Sequence, residues 1–139
     1  MVQPRAACFL PLVLSMESEV RVLIIDDDET FCELLAETLD GAGIDTVWTT
    51  DGVDGYEKSV SDTFDAIVLD VHMPRVLGTE LAKDIKQKKP RAKIILISTF
   101  ADERLREIAS QLDVALLSKP FSANHLLQMI DKVLCEGHR

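Results

Sequence analysis

The stretch VRVLIIDDDE, at residues 20–29, decides the fold of this chain. Its first six residues are mostly apolar and rich in β-branched side chains. This predicts a strand over residues 20–25 that is buried on both faces of a parallel sheet. Asp26, Asp27 and Asp28 follow at once. Ligands of open parallel sheets bind beyond the carboxyl ends of the strands, so these aspartates stand where a polar site is expected.

Four more strand-and-helix units follow this stretch. Strands are predicted over residues 45–49, 66–69, 93–98 and 115–117. Apolar side chains at helical spacing predict five helices, whose inward-facing residues are Phe31, Leu34, Leu35, Thr38 and Leu39; Val53, Tyr56 and Val60; Leu81 and Ile85; Leu105, Ile108, Ala109 and Leu112; and Leu126, Leu127, Ile130 and Leu134. Ser122 is the expected cap of the last helix. This alternation predicts a doubly wound α/β fold, with helices on both faces of one parallel sheet.

The length and charge of the chain limit its possible functions. With 139 residues, 47% of them hydrophobic, we expect one folded domain, at residues 19–136, with no output domain. The 15 Lys and Arg residues against 24 Asp and Glu give a net charge of -9. Such a charge disfavours direct binding to nucleic acid or to an anionic membrane surface. No apolar run approaches the roughly 18 residues of a membrane span.

The first 18 residues differ from the rest of the chain. Their short apolar run, at residues 6–14, is interrupted by Pro11 and lacks a good cleavage pattern, which argues against a secretory signal peptide. We interpret residues 1–18 as an N-terminal extension, either disordered or upstream of a true start at Met16. The three cysteines lack CxxC spacing, which fits a reducing compartment, and we expect the protein in the cytoplasm.

Polar residues follow four of the predicted strands. Asp26 to Asp28 follow the first strand, Asp70 the third, Ser98 ends the fourth, and Lys119 follows the fifth. Carboxylates this close repel one another unless a cation lies between them, and Mg²⁺ prefers such hard oxygen ligands. A carboxylate beside that metal can act as a nucleophile towards phosphorus, while Lys119 neutralises phosphoryl oxygens.

Each of these residues also has an ordinary structural interpretation. An aspartate run after a strand is often a turn and a helix cap, and Ser98 could cap the next helix. Lys119 could be a solvated surface residue. All these polar residues nevertheless fall at the one sheet edge where ligands bind, which favours a shared site.

Four motifs in order resemble those of a known family. They are LIIDDDE at residues 23–29, LDVHMPRVLG at 69–78, ILIST at 95–99 and SKPF at 118–121. The chain resembles the receiver domains of two-component response regulators, here of the stand-alone, single-domain type. The resemblance implies a flavodoxin-like (βα)5 fold with five parallel strands in the order 2-1-3-4-5. It also implies a phosphorelay signalling role rather than an enzyme activity beyond self-phosphotransfer and slow autodephosphorylation.

The resemblance also assigns roles to individual residues. Asp70 matches the phosphoacceptor, which takes a phosphoryl group from the phosphohistidine of a histidine kinase or a histidine phosphotransfer protein. Four residues match the Mg²⁺ site: Asp26, Asp27, Asp70 and, through its backbone carbonyl, His72. Ser98 matches the switch hydroxyl, and Lys119 matches the lysine that contacts the phosphoryl group.

One position departs from the family pattern. Leu116 occupies a place on the fifth strand where the family commonly has an aromatic residue that reports phosphorylation. Any switch in this protein must therefore use aliphatic repacking or a shifted fourth helix. The downstream protein target and the oligomeric state cannot be read from the sequence.

Two other functions remain open at this stage. Asp26 and Asp28 have the D-x-D spacing of haloacid dehalogenase phosphatases, with Asp28 as the possible general acid. The later strand ends argue against that reading, because they carry Ser98 and Lys119 instead of the further carboxylates that such enzymes need. The other alternative is a receiver-like interaction module that is never phosphorylated. In the receiver interpretation, Asp28 is a loop or capping residue.

Overall fold

The computed structural model describes residues 20–136, along which five strands alternate with five helices. They are β1 (Arg21–Ile25), α1 (Glu29–Gly41), β2 (Asp45–Thr49), α2 (Gly52–Ser61), β3 (Ala66–Asp70), α3 (Gly78–Lys88), β4 (Ile94–Ser98), α4 (Glu103–Leu112), β5 (Ala115–Ser118) and α5 (Ala123–Glu136). Each predicted strand is confirmed to within one residue at either end. The predicted N-terminal extension, residues 1–18, lies outside the described residues.

All five strands pair in parallel, in the order β2-β1-β3-β4-β5. The predicted fold class and strand order are therefore confirmed. The described residues of β3 and β4 are all buried, as are four of the five in β1. Burial on both faces explains why these central strands are nearly continuous apolar runs, whereas the edge strands β2 and β5 are mostly half-buried.

Two hydrophobic clusters lie on opposite faces of the sheet. On one face α1 and α5 contribute the first cluster, which includes Leu35, Leu39, Leu126 and Ile130. On the other face, the second cluster includes Leu81, Ile85 and Leu105 from α3 and α4. Alternate side chains of the central strands belong to the two clusters, so the sheet packs between two helical layers.

Side-chain caps determine where the helices begin. Asp28, Asp51 and Asp102 accept hydrogen bonds from backbone N–H groups in the first turns of α1, α2 and α4. The Ser122 hydroxyl accepts one from the His125 N–H at 3.1 Å, which confirms the predicted cap of α5. Each bond satisfies a donor that the helix itself cannot pair.

Two of the predicted inner faces are partly wrong. Val53 is 60% exposed, and the buried positions of α2 are Gly52, Gly55 and Ser59. A Cβ at Gly55 would lie 2.6 Å from the Ile25 side chain, so this helix packs on β1 through its small residues. Periodicity counted apolar side chains and missed that close approach.

The prediction for α1 also needs correction. Leu34 is 60% exposed, and Thr38 is exposed with its hydroxyl donating to the Leu34 carbonyl at 3.0 Å. Cys32 instead joins Leu35 and Leu39 on the buried face. Among residues 20–136, none of the helices combines the length and the apolar character needed to cross a bilayer.

Candidate functional site

The register of the strands brings the predicted polar residues to one edge of the sheet. Ile25 pairs with Leu69, so Asp26 and Asp70 are at the same level on neighbouring strands. Asp70 in turn pairs with Ile97, which precedes Ser98, and Ser98 pairs with Ser118, which precedes Lys119. This confirms the expected convergence at the carboxyl ends of four strands.

Asp26 is the most deeply buried carboxylate of the site, with no exposed surface. Its Oδ2 atom accepts a hydrogen bond from Lys119 Nζ at 3.0 Å, and its Oδ1 atom accepts one from the Asp28 N–H at 2.9 Å. A buried charge is tolerated only when it is paired and hydrogen-bonded, and both oxygens of Asp26 meet that condition.

The Lys119 ammonium group lies between two carboxylates and an aromatic ring. It is 4.0 Å from Asp70 Oδ1 as well as 3.0 Å from Asp26 Oδ2, and it lies 4.3 Å from the centre of the Phe31 ring. The Lys119 backbone N–H donates to the Ser98 carbonyl at 2.7 Å, which ties the lysine to the end of β4. Lys119 is therefore part of the site and not a solvated surface residue.

Asp70 has an unusual protonation equilibrium. Burial raises the pKa of its carboxyl group to about 6, and the negative charge of Asp26 adds to the effect. The Lys119 charge and a hydrogen bond from the His72 backbone lower the pKa of Asp70, but they only partly offset the increase. A positive charge added nearby would therefore stabilise the ionised form of Asp70.

Asp26, Asp27 and Asp70 form a group that could hold a metal ion. One carboxylate oxygen from each lies within 4.8 Å of the other two. Asp27 is exposed, so the group opens to solvent on that side. Three hard oxygen donors with an open side fit Mg²⁺, which keeps several water ligands. The predicted contribution of the His72 backbone carbonyl stays a prediction, and its side chain is exposed.

Ser98 is fully buried at the end of β4. Its hydroxyl oxygen accepts a hydrogen bond from the Phe100 N–H at 3.0 Å. A hydroxyl that accepts one bond can still donate its own proton to another group. Ser98 therefore connects the site to the β4–α4 loop, where Phe100 is 67% exposed.

Sequence reasoning missed two residues that shape the site. A Cβ at Gly78 would meet the backbone carbonyl of Asp70 and would lie 2.7 Å from the Val71 Cα, while the Gly78 N–H donates to the Val71 carbonyl. Only glycine permits this approach of α3 to the strand that carries Asp70. The helical spacing of apolar side chains places Phe31 on the predicted inner face of α1. Nothing in the sequence marks its contact with Lys119 except an aromatic side chain in the first turn after the acidic loop.

Two further predictions concern residues beside the site. The Asp28 carboxylate accepts the Phe31 N–H at 3.1 Å, which confirms the capping role. Leu116 is half-buried and packs against the second cluster, on the side of the sheet that carries α4. An aliphatic side chain therefore occupies the position where an aromatic switch residue is common in the resembled family.

Comparisons with known proteins agree with this arrangement. The sequence profile of the response regulator receiver domain matches residues 22–131. The chain is 31% identical over 115 residues to the response regulator receiver protein CpdR of Brucella abortus (strain 2308), covering 82% of this chain and 96% of that protein. It is 28% identical over 115 residues to the alkaline phosphatase synthesis transcriptional regulatory protein PhoP of Bacillus subtilis (strain 168). That match covers 82% of this chain and 48% of PhoP, so the chain spans about half of that relative.

Solved structures share the fold. The receiver domain protein (CheY-like) of Methanospirillum hungatei JF-1 aligns with a TM-score of 0.83 at 24% identity, covering 87% of this chain and 98% of that one. The chemotaxis protein CheY4 of Vibrio cholerae aligns with a TM-score of 0.79 at 26% identity, covering 84% and 100%. The first similarity, at 24% identity, supports the fold alone.

Proposed function

The chain belongs to the response regulator receiver domain family, and on that premise we propose that it accepts a phosphoryl group on Asp70. The donor is the phosphohistidine of a histidine kinase or a histidine phosphotransfer protein. One observation carries the proposal: the Asp70 carboxylate lies 4.0 Å from the Lys119 ammonium and within 4.8 Å of two further carboxylates. A carboxylate beside positive charge and beside a group suited to a divalent cation supports a nucleophilic role for Asp70.

The transfer begins with ionised Asp70. With its pKa raised to about 6, the carboxyl group is mostly ionised at neutral pH. One Asp70 oxygen attacks phosphorus and forms an O–P bond, while the N–P bond to the donor histidine breaks. The electron pair of that bond stays on the imidazole, which takes up a proton.

The site supplies charge for this transfer. Mg²⁺ held by Asp26, Asp27, Asp70 and the His72 carbonyl would supply positive charge against the phosphoryl oxygens. Lys119 is 4.0 Å from the attacking carboxylate, close enough to meet a phosphoryl oxygen after a small movement. The 3.0 Å contact with Asp26 keeps the ammonium beside Asp70 before the transfer.

Phosphorylation then changes the protein's interactions with partners. The Ser98 hydroxyl donates to the new phosphoryl group and shifts the β4–α4 loop through its bond with the Phe100 N–H. Leu116 responds by aliphatic repacking and changes the surface formed by α4, β5 and α5. The target is a protein rather than nucleic acid, because the chain carries a net charge of -9. The phosphoryl group is lost by slow autodephosphorylation, and the protein works in the cytoplasm.

The test is phosphorylation by a small acyl-phosphate donor with Mg²⁺, followed by measurement of intact mass. We expect one added phosphoryl group in the wild type and in the control Asp84→Asn, which changes an exposed aspartate of α3. We expect none in Asp70→Asn or without Mg²⁺. If neither this donor nor a panel of histidine kinases modifies a wild-type protein that binds Mg²⁺, the unphosphorylated interaction module becomes the better explanation.

A further inference from the structure

From the contacts of its ring, we infer that Phe31 is a positioning residue that holds the Lys119 ammonium beside Asp70. The inference rests on the proposed function for its consequence in phosphoryl transfer, although the contact itself does not depend on that function. Phe31 lies in the first turn of α1, and Lys119 follows β5, 88 positions later. Only the folded chain brings the two together.

The first step is the geometry of the contact. The Lys119 Nζ atom lies 4.3 Å from the centre of the Phe31 ring, over its face. The ring face carries partial negative charge and attracts a cation within about 6 Å. The Lys119 side chain is only 18% exposed, and the attraction is stronger for a cation that has lost much of its water.

The second step is that Phe31 is held by two further contacts, one through its backbone and one through its ring. The Phe31 N–H donates to the Asp28 carboxylate at 3.1 Å, which anchors the first turn of α1. Phe121 meets the Phe31 ring edge to face, with ring centres 6.0 Å apart and planes at 82°. Phe121 is two residues after Lys119, so the ring is fixed to the same segment that carries the lysine.

The third step is the consequence for the ammonium. A free lysine side chain has many rotamers, and most of them point into water. The Phe31 ring covers one side of Nζ, while Asp26 lies at 3.0 Å and Asp70 at 4.0 Å. The ring therefore keeps the ammonium within reach of a phosphoryl group on Asp70. The oxygens that could hold Mg²⁺ belong to Asp26, Asp27 and Asp70, so we expect the metal affinity to stay unchanged when the ring is removed.

The test compares Phe31→Leu, which removes the ring face, with Phe31→Tyr, which keeps it. Phe64→Leu is the matched control, because the Arg21 guanidinium lies 4.8 Å from the Phe64 ring centre at the opposite end of the sheet. That variant loses a contact of the same kind away from the site.

Two measurements separate the position of the Lys119 ammonium from its effect on the phosphorylation rate. In Mg²⁺-free protein, the Lys119 ε-methylene protons are followed by NMR. We expect an upfield ring-current shift of these protons in the wild type, in Phe31→Tyr and in Phe64→Leu. We expect no such shift in Phe31→Leu. The maximal phosphorylation rate and the apparent Mg²⁺ affinity are then measured with the small acyl-phosphate donor. For Phe31→Leu we expect a rate about three- to tenfold lower with unchanged Mg²⁺ affinity, and for Phe31→Tyr a restored rate.

Each outcome decides the inference. An unshifted Lys119 methylene in the wild type, or a shift that survives Phe31→Leu, overturns it. So does a phosphorylation rate for Phe31→Leu no lower than that of Phe64→Leu, or a lowered rate that Phe31→Tyr does not restore. If the wild-type protein is not phosphorylated at all, the proposed function fails, while the Lys119 resonance still decides whether Phe31 holds the ammonium.

Discussion

The two sides of the site differ in how far they are assembled. We call the first the β1 side, because the Lys119 side chain reaches across to Asp26 at the end of β1. There Asp26 and Lys119 are paired at 3.0 Å and the Phe31 ring covers the ammonium. On the second, the β4 side, the Ser98 hydroxyl accepts one N–H from Phe100, which is 67% exposed. The groups of the β1 side are already paired, whereas the Ser98 hydroxyl of the β4 side can still donate its proton to another group.

The physical reason lies in the kinds of groups on each side. A carboxylate as deeply buried as Asp26 can be ionised only with partners, because an unpaired buried charge is very costly. A hydroxyl is neutral and can accept and donate at once, so Ser98 can gain a partner with little rearrangement. Charged groups therefore impose a preformed geometry on the β1 side, whereas on the β4 side the neutral Ser98 hydroxyl keeps a proton to donate.

The largest expected change in the free energy of unfolding comes from removing the Lys119 ammonium, the cation of the β1 side. Lys119→Met keeps the aliphatic stem but leaves Asp26 and Asp70 facing each other. We expect the phosphorylation rate to fall about 100-fold. Without Mg²⁺, we expect the free energy of unfolding to fall by about 2–4 kcal/mol, measured by urea denaturation.

The control for this prediction is Lys58→Met. Lys58 forms an exposed pair with Asp54 at 3.3 Å within α2, and such surface pairs contribute about 0–1 kcal/mol. A Lys119→Met protein with the stability and phosphorylation rate of Lys58→Met would show that the β1 side is not preassembled as described.

An intermediate change in the free energy of unfolding is expected for Asp70→Asn, and its size depends on pH. The folded protein holds the Asp70 proton more tightly than the unfolded chain, since folding raises its pKa from 3.8 to about 6. Ionising Asp70 therefore costs stability, and that cost grows as pH rises from about 4 through 6. In Mg²⁺-free buffer, we expect Asp70→Asn to be more stable than the wild type by about 1–3 kcal/mol at pH 8.

This advantage is expected to shrink towards zero at pH 4. Urea denaturation at several pH values, with Asp84→Asn as the exposed control, measures the dependence. Adding Mg²⁺ at pH 8 is expected to stabilise the wild type more than Asp70→Asn. A stability difference that stays constant from pH 4 to pH 8 contradicts the argument that Asp70 is destabilised by its charge.

The smallest effect is expected on the β4 side. Ser98→Ala removes the acceptor for the Phe100 N–H, at a cost of about 0.5–1.5 kcal/mol in the free energy of unfolding. The phosphorylation rate is expected to change much less than in Lys119→Met. Amide NMR shifts of residues 100–105 on phosphorylation are expected to disappear in Ser98→Ala and to persist in Ser98→Thr. Persistent shifts in Ser98→Ala would mean that another residue couples the site to the loop.

Much of the molecule could be predicted because it depends on local patterns. The buried strands are continuous apolar runs, and the strand order follows from the motifs that resemble receiver domains. Asp26, Asp70, Ser98 and Lys119 could be placed together because parallel strands end at a common edge. Periodicity failed at Val53, because it counts apolar residues and cannot detect a helix that packs through glycine and serine. It failed at Leu34 because α1 turns Cys32, Leu35 and Leu39 to the core instead.

The amino-acid sequence by itself determined the alternation of strands and helices, and it determined which polar residues follow the strands. Only the tertiary structure decided how those residues are partnered. It paired Lys119 with Asp26, placed the Phe31 ring over the ammonium and brought Gly78 against the Asp70 backbone. Strand and helix patterns repeat within a few residues, whereas the contacts of Lys119 with Asp26 and Phe31 join segments far apart in the chain. Only packing of both helical layers on the sheet fixes those distances.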